Sequence, residues 1–119
     1  MKKKKIWSYK GYLFAAARKV WRWSPERKKV LELAKSEKLE DGFVCALCKE
    51  TFLKEMVAVD HKAPVIDPTQ GFVSWDNYYG RLFTTASNLQ VICKLCHKQK
   101  TQAENKIRRT RRANARRKN

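Results

Sequence analysis

The chain has 119 residues, with 28 lysines and arginines against 11 aspartates and glutamates, and its formal net charge is +17 at pH 7. A chain of this length is most simply one domain with a small core, which a bound metal often supplements. The charge excess indicates a polyanionic partner, most simply nucleic acid, and no apolar run approaches the roughly 18 residues of a membrane helix.

We expect a cytoplasmic protein with no membrane partner. The lysines near the N-terminus precede a short apolar stretch, but Lys10 interrupts the run and Arg18 and Lys19 follow it at once, unlike a cleaved secretory signal. In a reducing cytosol, cysteines favour metal binding over disulfide bonds. The four cysteines of the chain are therefore interpreted as metal ligands.

The N-terminal part of the chain predicts two basic helices. The first covers about residues 11–23, and the second begins at Ser24 and Pro25, which suit the N-cap and the first helical position. The second helix is expected to continue for about fourteen residues before Gly42 ends it in a left-handed conformation. Residues 1–42 are thus predicted to form a helical extension ahead of the rest of the chain.

Two Cys-x-x-Cys pairs lie on either side of the centre, Cys45 with Cys48 and Cys93 with Cys96, separated by 44 residues. Two intervening residues let both sulfurs of one turn reach the same ion, and two such turns supply the four thiolates that zinc favours. Such a site has no open coordination position, so Zn²⁺ would be structural. A redox dithiol or buried free thiols are the alternative, but the alternating strands and helices of a thioredoxin-like fold are lacking.

The two histidines of the chain stand at positions suited to metal-dependent hydrolysis. Asp60 and His61 lie in a strand predicted over residues 57–65, and His97 directly follows the last cysteine, near the start of a final helix. Because adjacent strand residues point to opposite faces, Asp60 can bind a metal while His61 accepts a proton from water. His97, on a helix packed against that strand, can face Asp60 and complete the metal site.

A long connection separates these elements. Residues 66–87 are predicted to include a short helix over 75–83, with Ser74 as its cap. Asn88 then leads into a short strand, and the final helix follows the second cysteine pair. The Lys/Arg-rich end, residues 106–119, is predicted to be either a helix on DNA or a disordered arm.

Residues 43–104 resemble the HNH endonuclease family, in the subgroup that carries two Cys-x-x-Cys pairs, and are similar to small bacteriophage members. The similarity is carried by the run from Val59 to Lys62 and by the run from Asn88 to Thr101. It implies an α+β fold with a ββα-metal (His-Me finger) core and a four-cysteine structural zinc site. The organisation would be the N-terminal helices, a nuclease core over 43–105 and the basic C-terminal helix or tail.

The resemblance also implies a role for each motif residue. His61 would be the general base, and Asp60 and His97 would bind a catalytic Mg²⁺, Mn²⁺ or other divalent cation. Asn88 would hold the loop between the two strands by hydrogen bonding and keep His61 oriented. The expected activity is hydrolysis of DNA phosphodiester bonds, by nicking or double-strand cleavage. One departure from the family pattern is the long insertion between His61 and Asn88.

Several basic residues are candidate contacts to DNA phosphates, which would position the strand without reading its sequence. These residues are Lys98, Lys100, Arg108, Arg109, Arg111 and Arg112. The charge and the cysteines are explained equally well by a non-catalytic zinc-stapled module that binds nucleic acid, and a ribosome-associated structural protein is a third alternative. A choice between RNA and DNA, and a phage or host protein partner, are left open by the sequence.

Overall fold

The computed structural model describes residues 8–117 and is of the α+β class. Its two small sheets are antiparallel and two-stranded, and a single 3-10 turn precedes each strand of the second sheet, at Lys54–Met56 and Ala86–Asn88. In chain order the elements are α1 Tyr9–Trp21, α2 Pro25–Leu33, β1 Gly42–Val44, β2 Thr51–Leu53, β3 Val57–His61, α3 Trp75–Leu82, β4 Leu89–Cys93 and α4 Lys94–Arg117.

The second helix begins as predicted and ends earlier than predicted. The Ser24 hydroxyl accepts a hydrogen bond from the Arg27 amide, and Pro25 takes the first helical position. After α2 the backbone turns to pair with β1, where the Val44 amide donates to the Ala34 carbonyl at 2.9 Å. This pairing gives the chain alternative backbone partners and therefore stops the helix about five residues before the predicted end.

Gly42 does not end the helix in the way the sequence predicts. The left-handed conformation belongs to Asp41, with φ of 57°, whereas Gly42 is the first residue of β1. A side chain at Gly42 would meet the Leu39 side chain at 2.9 Å, so the absence of a Cβ permits a close approach there.

A unit of two strands and a helix lies at the centre of the fold. β3 pairs with β4 in a register that runs from Val57 opposite Cys93 to His61 opposite Leu89, and α4 starts directly after β4. The long connection therefore leaves the pairing of β3 and β4 intact over five residues. β3 ends at His61, earlier than the predicted residue 65, and α3 carries its predicted Ser74 cap, whose hydroxyl accepts from the Asn77 amide.

The core consists of two clusters that share β4. In the first cluster, Val30 of α2 packs with Phe43, Leu89 and Val91. In the second, Ile92 packs with the two buried cysteines described below. Since every residue of β4 is buried, this strand is the element on which the helices and the other strands assemble.

The terminal segments are continuous with this core. α1 joins α3 through a cluster of aromatic rings in which Phe14 contacts Phe72, Trp75 and Tyr78. α4 runs unbroken for 24 residues, about 36 Å, so the predicted boundary between residues 105 and 106 falls inside a helix. Of the two alternatives for the basic tail, the helical one describes residues 106–117.

Candidate functional site

The four cysteines form one cluster that can hold a metal ion such as zinc. Cys45 and Cys48 lie in the turn between β1 and β2, whereas Cys93 and Cys96 lie at the junction of β4 and α4. Their sulfur atoms all lie within 4.8 Å of one another, and Cys48 Sγ and Cys93 Sγ are 4.0 Å apart. Sulfurs around tetrahedral zinc are about 3.8 Å apart at a Zn–S distance of 2.3 Å, so the arrangement fits zinc.

Backbone amides point at these sulfurs and stabilise negative charge there. The Cys93 amide donates to Cys45 Sγ at 3.3 Å, and the Cys48 amide donates to the same sulfur at 3.5 Å. Burial by itself would raise the pKa of Cys45, but these amide bonds outweigh it and lower the pKa to about 6. The neighbouring Cys93 sulfur and burial raise the pKa of Cys96 to about 12. A bound cation would allow all four groups to be thiolates.

Asp60 faces β4 and α4 from the penultimate position of β3. Gln90, its direct partner across the sheet, donates from Nε2 to Asp60 Oδ2 at 3.0 Å. Asp60 Oδ1 lies 3.9 Å from Nε2 of His97 in the first turn of α4. The Asp60 side chain is 12% exposed and that of His97 is 45% exposed, so the pair is open to solvent on the His97 side.

Lys100 lies between Asp60 and the next turn of α4. Its ammonium is 3.2 Å from Asp60 Oδ2 and 3.3 Å from Glu104 Oε2, and it donates to the His61 carbonyl at 3.1 Å. The side chain is 20% exposed. Lys100 thus belongs to an ion-pair network that holds the Asp60 carboxylate in place, and its contact to phosphate stays a prediction.

His61 points to the opposite side of β3 and is buried. Its Nε2 lies 2.9 Å from the Leu82 carbonyl at the end of α3, and its ring packs against the Trp21 indole at a centroid distance of 4.8 Å. Because a carbonyl only accepts, Nε2 carries the proton and Nδ1 is the basic nitrogen. Burial lowers the pKa of His61, with a further lowering by Lys100, against the opposing effects of Leu82 and Asp60.

Asn88 holds the segment that follows His61. Its Oδ1 accepts from the Ala63 amide at 3.2 Å, and its backbone carbonyl accepts from the Lys62 amide at 2.7 Å. The side chain therefore ties the end of β3 to the start of β4. The His61 ring donates from Nε2 to the Leu82 carbonyl, so that carbonyl sets the ring orientation directly.

A cleft of about 670 Å³ contains this site, and it is lined by Asp60, His61, His97 and Lys100. Arg108 also lines it, whereas Lys98, Arg109 and Arg112 are exposed on α4, and Arg111 packs over Gly71 of the long connection. The residues expected to contact phosphate thus lie along α4, and two of them, Lys100 and Arg108, line the cleft.

Sequence reasoning missed the residues that enclose the site from elsewhere in the chain. Trp21 and three arginines of the N-terminal region line the cleft, although the sequence predicts that residues 1–42 are an extension outside the nuclease core. Glu104 was detectable, because it follows Lys100 by one helical turn and can pair with it. Leu82 was not detectable, because its backbone carbonyl carries no signature in the sequence.

A scan of the chain against protein-family models, a search of curated proteins and a search of solved structures each gave no match. Within residues 8–117, no helix has the length and apolar character needed to cross a membrane.

Proposed function

We propose that this protein is a metal-dependent HNH-type endonuclease that hydrolyses phosphodiester bonds of DNA, with β3, β4 and α4 as its ββα-metal core and the four cysteines as a structural zinc site. One observation carries the proposal. Adjacent residues of one strand present a buried histidine with a defined tautomer and a carboxylate that faces a second histidine. Both open into one cleft of a protein with a net charge of +17.

The first requirement of the proposal is a pair of ligands for the catalytic cation. Nitrogen and oxygen ligands sit about 2.1 Å from zinc or a similar divalent ion, so two atoms that share one ion can be at most about 4.2 Å apart. Asp60 Oδ1 and His97 Nε2, at 3.9 Å, satisfy that limit. When bound, the ion supplies positive charge that neutralises the phosphate and the departing 3′ oxygen.

The second requirement is a base that is neutral at pH 7. Burial keeps the pKa of His61 below its usual 6.5, so the ring is neutral at that pH. The Leu82 carbonyl accepts a hydrogen bond from the protonated Nε2, so Nδ1 is the nitrogen that can accept a proton from the attacking water. Lys100 stays paired with Asp60 beside it, which keeps the carboxylate oriented for the cation.

A supercoiled-plasmid assay tests the proposal, with and without added Mg²⁺ or Mn²⁺. His61→Ala should lower the cleavage rate by about 10² to 10⁴-fold, because general-base catalysis contributes that much. Lys62→Ala is the matched control, since the adjacent Lys62 side chain is exposed and only its backbone amide bonds to Asn88. Zinc content and circular dichroism of both variants establish that each is folded.

Wild-type protein that binds DNA tightly but does not cleave it, whichever metal is added, would overturn the proposed nuclease activity. The non-catalytic zinc-stapled module would then be the function, and His61→Ala would leave DNA binding unchanged.

A further inference from the structure

Hydrogen-bond donors without acceptors collect on the wall of the cleft formed by the N-terminal helices and α3. Trp21 Nε1, Arg27 Nε and Tyr78 Oη are buried atoms with no hydrogen-bond partner in the described part of the chain, and all three side chains line the cleft. Buried donors are nearly always paired in native proteins. Three unpaired donors at one cavity therefore indicate a ligand rich in acceptor oxygens.

Positive charge is concentrated on the same wall. Arg18 of α1, Arg22 directly after α1 and Arg27 of α2 line the cleft, and within residues 8–117 none of the three forms an ion pair with a carboxylate. Burial lowers the pKa of Arg27, and the positive charge of the neighbouring Arg22 lowers it further, so these two guanidinium groups repel one another. An anion between them would relieve that repulsion.

Arg27 is connected to His61 through the Trp21 ring. The Arg27 guanidinium carbon lies 5.6 Å from the centroid of the Trp21 ring, and the Trp21 ring lies 4.8 Å from that of His61. Arg27 Nη1 also donates to the Arg22 carbonyl at 3.5 Å. A phosphate held by these arginines would lie beside the phosphodiester that reaches His61.

We propose that Arg18, Arg22 and Arg27 form a phosphate-binding subsite, the arginine wall, which binds the backbone of the nucleic acid next to the bond to be cut. The inference deepens the proposed function and rests on it for the identity of the bond. It makes α1 and α2 part of the substrate groove, although the resemblance that suggested the nuclease begins only at residue 43. The wall binds phosphate and reads no base, because guanidinium groups at a backbone contact carry no sequence information.

The test measures binding separately from cleavage. Zinc-loaded protein carrying His61→Ala is titrated onto a fluorescent DNA duplex, with no added divalent ion and no chelator, at several salt concentrations, and the DNA is confirmed intact on a gel. The test pair is Arg18→Gln with Arg22→Gln, both of them exposed, the first on α1 and the second directly after it. The matched control is Lys28→Gln with Lys29→Gln, which removes the same charge from exposed positions on α2 outside the cleft.

Each phosphate contact contributes about 0.9 to the slope of log affinity against log salt. Loss of two contacts should lower that slope by about 1.8, which corresponds to roughly thirtyfold weaker binding at 0.15 M salt. The control pair should leave the slope within about 0.5 of the parent, since its lysines make no phosphate contact in this scheme. In the cleaving background, the test pair should raise KM more than it lowers kcat.

Equal losses in the test and control pairs would overturn the proposal, since they would reflect net charge alone, and no loss in the test pair would overturn it as well. Arg27→Gln supplies an independent check in which the half-buried guanidinium is removed. Failure of the proposed nuclease activity would give a different result. If the wild-type protein cleaves no DNA but the test and control pairs differ in salt slope as predicted, the arginine wall remains the phosphate site of a binding module.

Discussion

Replacement of one buried cysteine should unfold the part of the protein that the metal organises. Cys45→Ser removes a candidate metal ligand whose side chain is fully buried and whose sulfur accepts hydrogen bonds from two backbone amides. The second core cluster consists of Cys45, Ile92 and Cys93, so two of its three buried residues belong to the four-cysteine cluster that could hold a metal ion. Loss of the metal therefore removes most of what holds that cluster together.

The size of the effect follows from linkage. Free zinc at a thousand times its dissociation constant stabilises the folded state by about 4 kcal/mol. For a domain of this length, 1 kcal/mol corresponds to roughly 4 °C in Tm, so the expected loss is about 16 °C. β1 and β2 have three residues each, and besides pairing with β2, β1 bonds to the short segment that follows α2. An isolated hairpin of that length is not stable in water.

For each variant, Tm is measured by near-ultraviolet circular dichroism and zinc content by elemental analysis. Leu47→Ser is the matched control, because Leu47 lies in the same turn, is exposed and leaves all four thiols in place. The control should keep one zinc per chain and a Tm within about 3 °C of wild type. A Cys45→Ser protein that has lost zinc but has the same Tm as the Leu47→Ser control would refute the reasoning.

Three further predictions concern the tail, the base and the core. Arg109→Gln with Arg112→Gln should weaken DNA binding and lower the salt slope by up to about 1.8, and an unchanged slope would show that exposed arginines of α4 make no phosphate contact. The cleavage rate should be flat between pH 7 and 8 and should fall only below the usual histidine pKa of 6.5. The reason is that burial lowers the pKa of His61 and only its neutral form accepts a proton. A pH–rate profile with a midpoint above 7 would contradict this prediction. Ile92→Ala should cost about 2 to 5 kcal/mol in urea unfolding because the side chain is fully buried, and a cost below 1 kcal/mol would show that the cluster can collapse around the gap.

The features that the sequence predicted correctly depend on near neighbours in the chain. The Ser24 and Ser74 caps each act on an amide three residues later, and both were predictable for that reason. The pairing of the two cysteine turns was also predictable, because four thiols in two Cys-x-x-Cys turns serve one ion best. The opposite orientation of Asp60 and His61 follows from the pleat of a strand.

The surroundings of those residues depended on the tertiary structure. The early end of α2 required the pairing of Ala34 with β1, and Asp41 rather than Gly42 took the left-handed conformation. Both outcomes were settled by competition between backbone partners that are separate in the sequence, so local propensity could not decide them.

By itself the sequence determined which chemical groups the protein has and how they are spaced: four thiols, two histidines and an aspartate placed before one of them. Only the tertiary structure decided what surrounds His61. The Leu82 carbonyl fixes its tautomer from 21 residues away, and Trp21 buries its ring from α1. Those contacts exist because α1 and α3 pack together through Phe14 and its aromatic neighbours, and such packing depends on the complementary shapes of side chains that the order of residues does not display.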